Sequence, residues 1–167
     1  MGAKSMTANI LPEWLPDLIL LEDFQGDWNA FFDFIYDCFE KDFVLTKPVY
    51  RGKRLGLKRH PEYDGKSATF WHMMSEGSNE AERTPDMRRC ERICWPKPII
   101  DNSTDPSLKV WSEKRGSSQR IHIWFEPEGY LVVLDDRKDF ILPWTAFYIE
   151  YEHQRKKYNK RWERNKS

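Results

Sequence analysis

The chain has 167 residues and a mass of 20.1 kDa, which is long enough for one domain whose core needs no metal or disulfide. Aromatic residues make up 15% of it and offset a charged fraction of 32%, which excludes a largely disordered protein. No apolar run approaches the ~20 residues of a membrane span, and no secretory signal is visible. We therefore expect no membrane partner and a cytoplasmic location.

The net charge of zero conceals an uneven distribution of charge along the chain. Residues 1–42 carry 9 acidic against 2 basic side chains, a net charge of −7. Residues 43–97 have a net charge of +5, residues 98–144 of −2 and residues 145–167 of +4. Either the basic segments form a local surface for phosphate, or the acidic segment simply folds against them.

The cysteines and the absence of common sequence motifs argue against disulfide, metal and cofactor sites. Cys38, Cys90 and Cys94 are an odd number, which is typical of free thiols in a reducing compartment. A zinc site would need two more ligands at suitable spacing, and no glycine-rich phosphate loop is present. We therefore expect neither a metal nor a cofactor.

The N-terminal part predicts a leader and then a helix. Residues 1–11 are expected to be a disordered or cloning-derived leader, and residues 12–167 a single α+β domain. Asp27 is a predicted N-cap, and the helix after it ends before Pro48. Its apolar side chains recur at helical spacing and predict a buried aromatic face, formed by Trp28, Phe31, Phe32, Ile35 and Phe39.

The middle of the chain predicts loops and short extended segments. Residues 69–74 are interpreted as a loop or short strands, and the polar residues 75–85 as an exposed, mobile loop. Residues 88–95 predict a short helical turn that passes into an edge strand, because Pro96 favours an extended residue before it.

The C-terminal half predicts an antiparallel meander. Apolar patterns indicate strands near residues 109–111, 119–126, 130–134 and 140–148, with Pro143 marking an irregularity or an edge.

A basic helix is predicted from about Glu150, with Tyr151, Tyr158 and Trp162 on its docking face. The predicted fold is α+β: one or more N-terminal aromatic helices packed on a twisted antiparallel sheet of about four or five strands, closed by the basic C-terminal helix.

Arg120 and His122 are the candidate functional residues that the sequence supports best. Their spacing of two on a strand places both side chains on one sheet face, together with Trp124. Trp124 is either a surface on which a base stacks or a residue beneath the C-terminal helix. Arg120 and His122 either act on a ligand or form an ordinary solvated strand face.

Other polar residues carry similar pairs of interpretations. His72 is either a partly buried base or a hydrogen-bonded core residue, and Thr145 orients phosphate or satisfies backbone. A cluster of arginines either grips phosphate or pairs with the acidic first helix: Arg88, Arg89 and Arg92. Further cationic or titratable candidates for substrate binding are His60, Lys156 and Lys157.

These residue types suit metal-free cleavage of RNA. Such cleavage needs a base for the 2′-hydroxyl proton, an acid for the departing 5′-oxygen, and cations that stabilise charge on the phosphate. Histidine and arginine supply these roles near neutral pH.

The order of several sequence blocks resembles a family of small metal-independent RNases, which includes barnase, EndoU, the colicin tRNases and RelE. The similarity is to the phage-associated and toxin-like branch in particular. The blocks are Phe70-Trp71-His72, residues 89–95, Arg120-Ile121-His122-Ile123-Trp124, residues 130–134, and residues 140–148 running into the basic terminal helix.

The resemblance implies helices on a twisted antiparallel sheet whose face cleaves RNA. It favours five catalytic candidates: His72, Arg92, Arg120, His122 and Thr145. It also implies an endoribonuclease of toxin or prophage origin that acts on mRNA or tRNA, with RNA and an antitoxin or immunity protein as partners. The alternative is a non-catalytic module of phage origin that binds nucleic acid or a partner protein.

Overall fold

The computed structural model describes residues 11–77 and 84–166. Five α-helices are present in this part of the chain: α1 (Trp28–Glu40), α2 (Ala68–Met74), α3 (Met87–Glu91), α4 (Pro96–Asp101) and α5 (Glu152–Asn165). Short pairs join β1 (Val49–Tyr50) to β2 (Lys53–Arg54), and β3 (Ser75–Glu76) to β4 (Thr84–Pro85). The main sheet contains β5 (Lys109–Arg115), β6 (Ser118–Phe125), β7 (Tyr130–Asp136) and β8 (Ile141–Tyr148).

The predicted aromatic helix is α1. The Asp27 carboxylate accepts a hydrogen bond from the backbone N–H of Ala30 at 3.2 Å, which caps the helix as expected. Phe31, Ile35 and Phe39 are buried along one face. The ring of Phe39 meets that of Phe70 in α2 at 5.2 Å, so α1 packs on α2.

The main sheet is an antiparallel meander in the order β5-β6-β7-β8, which confirms the predicted fold class. One sheet face, with Ile121, Ile123 and Phe125, belongs to the large core shared with α1, α2 and α4. The opposite face carries a smaller cluster around Trp111 and Trp124, and Tyr158 and Trp162 of α5 pack against it. The sheet therefore lies between two helical layers.

The edge strand β8 contains the irregularity predicted at Pro143. Val133 faces Thr145 while Leu134 faces Pro143, so Trp144 is the extra residue of a bulge. Proline lacks the N–H that a regular ladder needs, which explains its place in an edge strand. The bulge turns Thr145 towards the α5 side of the sheet.

Two segments fold differently from the prediction of loops, short strands or an edge strand. Residues 68–74 form α2, which begins at Ser67, whose hydroxyl accepts from the Phe70 N–H at 3.4 Å. The predicted helical turn is α3, but residues 92–95 form a turn and not an edge strand, and α4 begins at Pro96. Pro96 and Pro98 lie in the first turn of that helix, where a missing N–H costs no hydrogen bond.

Three other expectations need comment. The segment predicted as a mobile loop begins and ends in the paired strands β3 and β4, with Ser75 buried, and its residues 78–83 lie outside the described residues. The predicted leader also lies outside them, except for exposed Leu11. Tyr151 is exposed and does not dock with Tyr158 and Trp162.

Among the described helices, none is long and apolar enough to span a bilayer.

Gly129 provides a test of how α5 docks. Its φ is +65°, and a Cβ there would lie 2.5 Å from Nη2 of Arg155, whose Nε donates to the Ile149 carbonyl at 2.8 Å. Gly129→Ala should therefore lower the free energy of unfolding by more than the ~1 kcal/mol of left-handed strain. Gly65→Ala is the matched control, because φ is +70° there and the space is open. Equal losses in chemical denaturation would contradict this docking.

Candidate nucleic-acid cleft

A cavity of about 260 Å³ opens between the α5 side of the main sheet and α5 itself. We call it the His122 cleft. Its lining includes Arg120, His122, Trp144, Thr145, Tyr158 and Arg161. Three of the predicted catalytic residues thus share one cavity, and the aromatic rings of Trp144 and Tyr158 and the guanidinium group of Arg161 are among the groups that accompany them.

Strand register explains why these residues meet. Arg120 and His122 are two residues apart on β6 and therefore lie on the same face of the sheet. His122 faces Val133 of β7, and Val133 faces Thr145 of β8. The three facing residues form a row across the sheet, and Arg120 lies two positions further along the same face. The row depends on the bulge at Trp144, which sets the face on which Thr145 lies.

His122 is 5% exposed and its ring lies flat on Trp111, with ring centroids 4.7 Å apart and planes 4° from parallel. Its Nε2 is 3.3 Å from Nη2 of Arg161. Burial, and then the positive charge of Arg161, lower the pKa of His122 to about 4. The imidazole is therefore neutral at neutral pH. Because arginine has only donors, Nε2 accepts the bond and the ring proton is on Nδ1.

Arg161 is held over this imidazole by Glu113. The guanidinium donates twice to the carboxylate, at 2.8 and 2.7 Å, and the Trp111 indole N–H donates to the same carboxylate at 2.8 Å. The hydrogen bonds from Arg161 lower the pKa of Glu113 to about 2. Glu113, Arg161, His122 and Trp111 thus form one connected group at the rim of the cleft.

Arg120 provides a second cation in the cleft. Its Nε lies 3.2 Å from buried Asp135, which also binds Arg137 at 2.7 Å, so two guanidinium groups share one carboxylate. The Arg120 guanidinium lies 4.2 Å from the centre of the Trp144 ring. One positive charge in this cluster is therefore not neutralised by Asp135.

Trp144 contacts both α2 and Lys58, which lies in the chain segment before α2. The Lys58 ammonium lies 5.2 Å from the ring centre, and the His72 ring meets the Trp144 ring edge-on at 5.5 Å. The Thr145 hydroxyl donates to the His72 carbonyl at 3.0 Å, which fastens α2 to β8. His72 is thus at the margin of the cleft, beside the ring of Trp144.

The three predicted arginines of α3 and its C-cap lie elsewhere. Arg92 is buried, with its guanidinium 4.5 Å from the centre of the Tyr148 ring, and does not line the His122 cleft. Arg89 donates to the carbonyls of His72 and Ser75, at 3.1 and 2.6 Å. In the described chain the carboxylate partners of these arginines, including exposed Arg88, are local: Asp86 and Glu91, not the acidic residues of α1.

Trp124 requires a correction as a predicted stacking surface. It is fully buried beneath α5, and its indole N–H donates to Asn159 at 2.8 Å. His60 is exposed, two residues after Lys58. Lys156 and Lys157 are exposed on α5, and Lys157 precedes Arg161 by one helical turn.

The sequence did not point to three contributors: Glu113, Trp144 and Arg161. Trp144 carried a signal, since it stands beside Pro143 in an edge strand where bulges occur. The pairing of Glu113 with Arg161 joins residues 48 apart and leaves no local pattern.

Within residues 11–77 and 84–166, no group of three or more His, Cys, Asp or Glu side chains could hold a metal ion. Comparisons with protein-family models, with curated proteins and with solved structures found no match.

The pKa of His122 predicts a pH-dependent stability. An unfolded histidine binds its proton near pH 6.5, whereas folded His122 binds it only near pH 4. Its stabilising contribution is therefore complete above pH 6.5 and is lost as the pH falls towards 4. The free energy of unfolding should fall by roughly 3 kcal/mol from this group.

Urea titrations across this range should show the loss in the wild type and in His153→Gln, a control on the exposed face of α5. In His122→Gln the free energy of unfolding should fall by roughly 3 kcal/mol less over this range. If the free energies of unfolding of His122→Gln and the wild type fall equally from pH 6.5 to 4, the buried, neutral imidazole is contradicted.

Proposed function

We propose that the protein is a metal-independent endoribonuclease that cleaves RNA in the His122 cleft. The observation that supports this most is the presence of Arg120, His122 and Thr145 in one cavity with Arg161. The imidazole is neutral at neutral pH and can therefore accept a proton, and a phosphate bound by Arg120 and Arg161 would offset the positive charge of Arg161 that lowers the pKa of His122.

In the proposed reaction, Nε2 of His122 takes the proton of a ribose 2′-hydroxyl. The 2′-oxygen then forms a bond to the adjacent phosphorus, the bond from phosphorus to the 5′-oxygen breaks, and that oxygen takes a proton. The products are a 2′,3′-cyclic phosphate and a 5′-hydroxyl. Arg120 and Arg161 bind the non-bridging oxygens, and His72 is the proposed proton donor at the margin of the cleft.

Arg161 has a double role in this proposal. Without RNA its Nη2 group occupies the Nε2 lone pair of His122, at 3.3 Å. A phosphate in the cleft competes for the same donors, because charge-assisted bonds to phosphate are stronger than a bond to a neutral imidazole. Binding of substrate therefore releases the base.

The wider context is proposed with the activity: a toxin or prophage protein that acts on mRNA or tRNA in the cytoplasm. An antitoxin or immunity protein would block such an enzyme by covering the His122 cleft. Trp144, flanked by Lys58 and Arg120, is the proposed stacking surface for a base in place of Trp124.

Incubation of total RNA in EDTA tests the activity. The wild type should cleave, and His122→Gln and Arg120→Gln should each lower the rate by about 100-fold or more. His153→Gln should cleave like the wild type, since His153 is exposed on α5 and stacks on Tyr151, outside the cleft. Near-ultraviolet circular dichroism checks that the variants fold.

Absence of products with the folded wild type would refute the endoribonuclease. Equal cleavage by the wild type and both cleft variants would place the activity elsewhere. Substrates with a 2′-O-methyl group at the cleaved position should resist, because the attacking hydroxyl is missing.

A second candidate is a non-catalytic module that binds nucleic acid. It is favoured by the 5% exposure of His122, since a base that reaches substrate must become accessible. This candidate predicts RNA affinity that falls steeply with salt, without products.

A further inference from the structure

We infer that the His122 cleft continues into a second phosphate-binding site at the β5–β6 turn, so that the substrate is a single RNA strand several nucleotides long. The inference rests on the proposed RNA function of the cleft. It concerns a cavity of about 440 Å³ at the end of the main sheet, which we call the hairpin cavity.

The two cavities share a wall. Lys114 lines both the His122 cleft and the hairpin cavity. Lys114 faces Gln119 across β5 and β6, Gln119 faces Asp136 of β7, and all three line the hairpin cavity. By alternation along β6, Gln119 lies on the sheet face opposite Arg120 and His122, so a strand leaving the cleft past Lys114 must turn round the β5–β6 end of the sheet to enter the hairpin cavity.

The charge of the hairpin cavity suits phosphate. Three exposed lysines line it, Lys53, Lys114 and Lys138, against one carboxylate, Asp136. Asp136 accepts from the backbone N–H of Lys138 at 2.9 Å. Within the described residues none of these lysines forms a salt bridge, in contrast to Lys97, Lys109 and Lys166.

Neutral donors complete the site. Ser117, Ser118 and Gln119 also line the cavity, and the Ser118 hydroxyl already donates to the Arg115 carbonyl at 3.1 Å. The Ser117 hydroxyl and the Gln119 amide can supply hydrogen bonds that phosphate and ribose accept regardless of sequence. Among residues 11–77 and 84–166, no aromatic ring lines this cavity, so it fits a backbone-binding extension and not a base-reading site.

The test measures binding of a 2′-O-methyl RNA dodecanucleotide by fluorescence anisotropy across a range of salt concentrations. This RNA cannot be cleaved through its 2′-oxygens. Lys53→Gln with Lys138→Gln should lower the slope of log affinity against log salt by about 1.4, since each lost contact to a single strand removes about 0.7. In the same double variant, the ratio of the affinity for the dodecanucleotide to the affinity for a dinucleotide should be smaller than in the wild type.

The control is Lys41→Gln with Lys160→Gln, which removes the same charge from exposed positions outside both cavities. Equal slope changes in the two double variants would overturn the hairpin site in favour of general charge attraction. If Lys53→Gln with Lys138→Gln leaves the slope unchanged while Arg120→Gln still weakens binding, the hairpin site is overturned but the proposed RNA site in the His122 cleft is not. A wild type without RNA affinity would overturn both.

Discussion

The arrangement of the candidate site depends on how α5 is held against the sheet. This helix has no fully buried residue, so burial of apolar surface alone does not position it. Instead, Asn159 accepts from Trp124 and donates to Glu126 at 2.7 Å, and Lys109 binds both Glu126 and Asn159. Arg161 binds Glu113 at the other end of the contact.

The same docking gives His122 its chemistry. Without α5 the imidazole would face solvent and keep a pKa near its ordinary value. With α5 in place the ring is buried between Trp111 and Arg161, and it stays neutral at a pH where RNA is stable. One helix therefore closes the cleft, supplies a cation and sets the protonation state of the proposed base.

The uneven charge of the chain also becomes intelligible. The acidic helix α1 belongs to the large core on one face of the sheet, whereas the His122 cleft and α5 lie on the other face. Zero net charge thus coexists with a local basic surface, and the acidic helix does not cover the cleft. The arginines of α3 find their carboxylate partners within their own segment.

Sequence patterns predicted the parts of this site that depend on local spacing. Alternation along β6 correctly placed Arg120 and His122 on one face, and edge-strand rules anticipated a distortion at Pro143. Simple alternation could not place Thr145, because the bulge at Trp144 shifts the later residues of β8 to the opposite face. The sequence left open whether Trp124 stacks on a base or lies beneath the C-terminal helix, and the structure shows the second, through a contact that joins residues 35 apart.

Chemical-shift mapping with an uncleavable 2′-O-methyl dinucleotide tests most directly whether the His122 cleft is where RNA binds. We expect the largest saturable changes at the Arg120 and Arg161 guanidinium groups, the His122 ring and the Thr145 amide, with little change in α1. Changes centred on α1 or on Arg92 and Tyr148, or no saturable change, would contradict it.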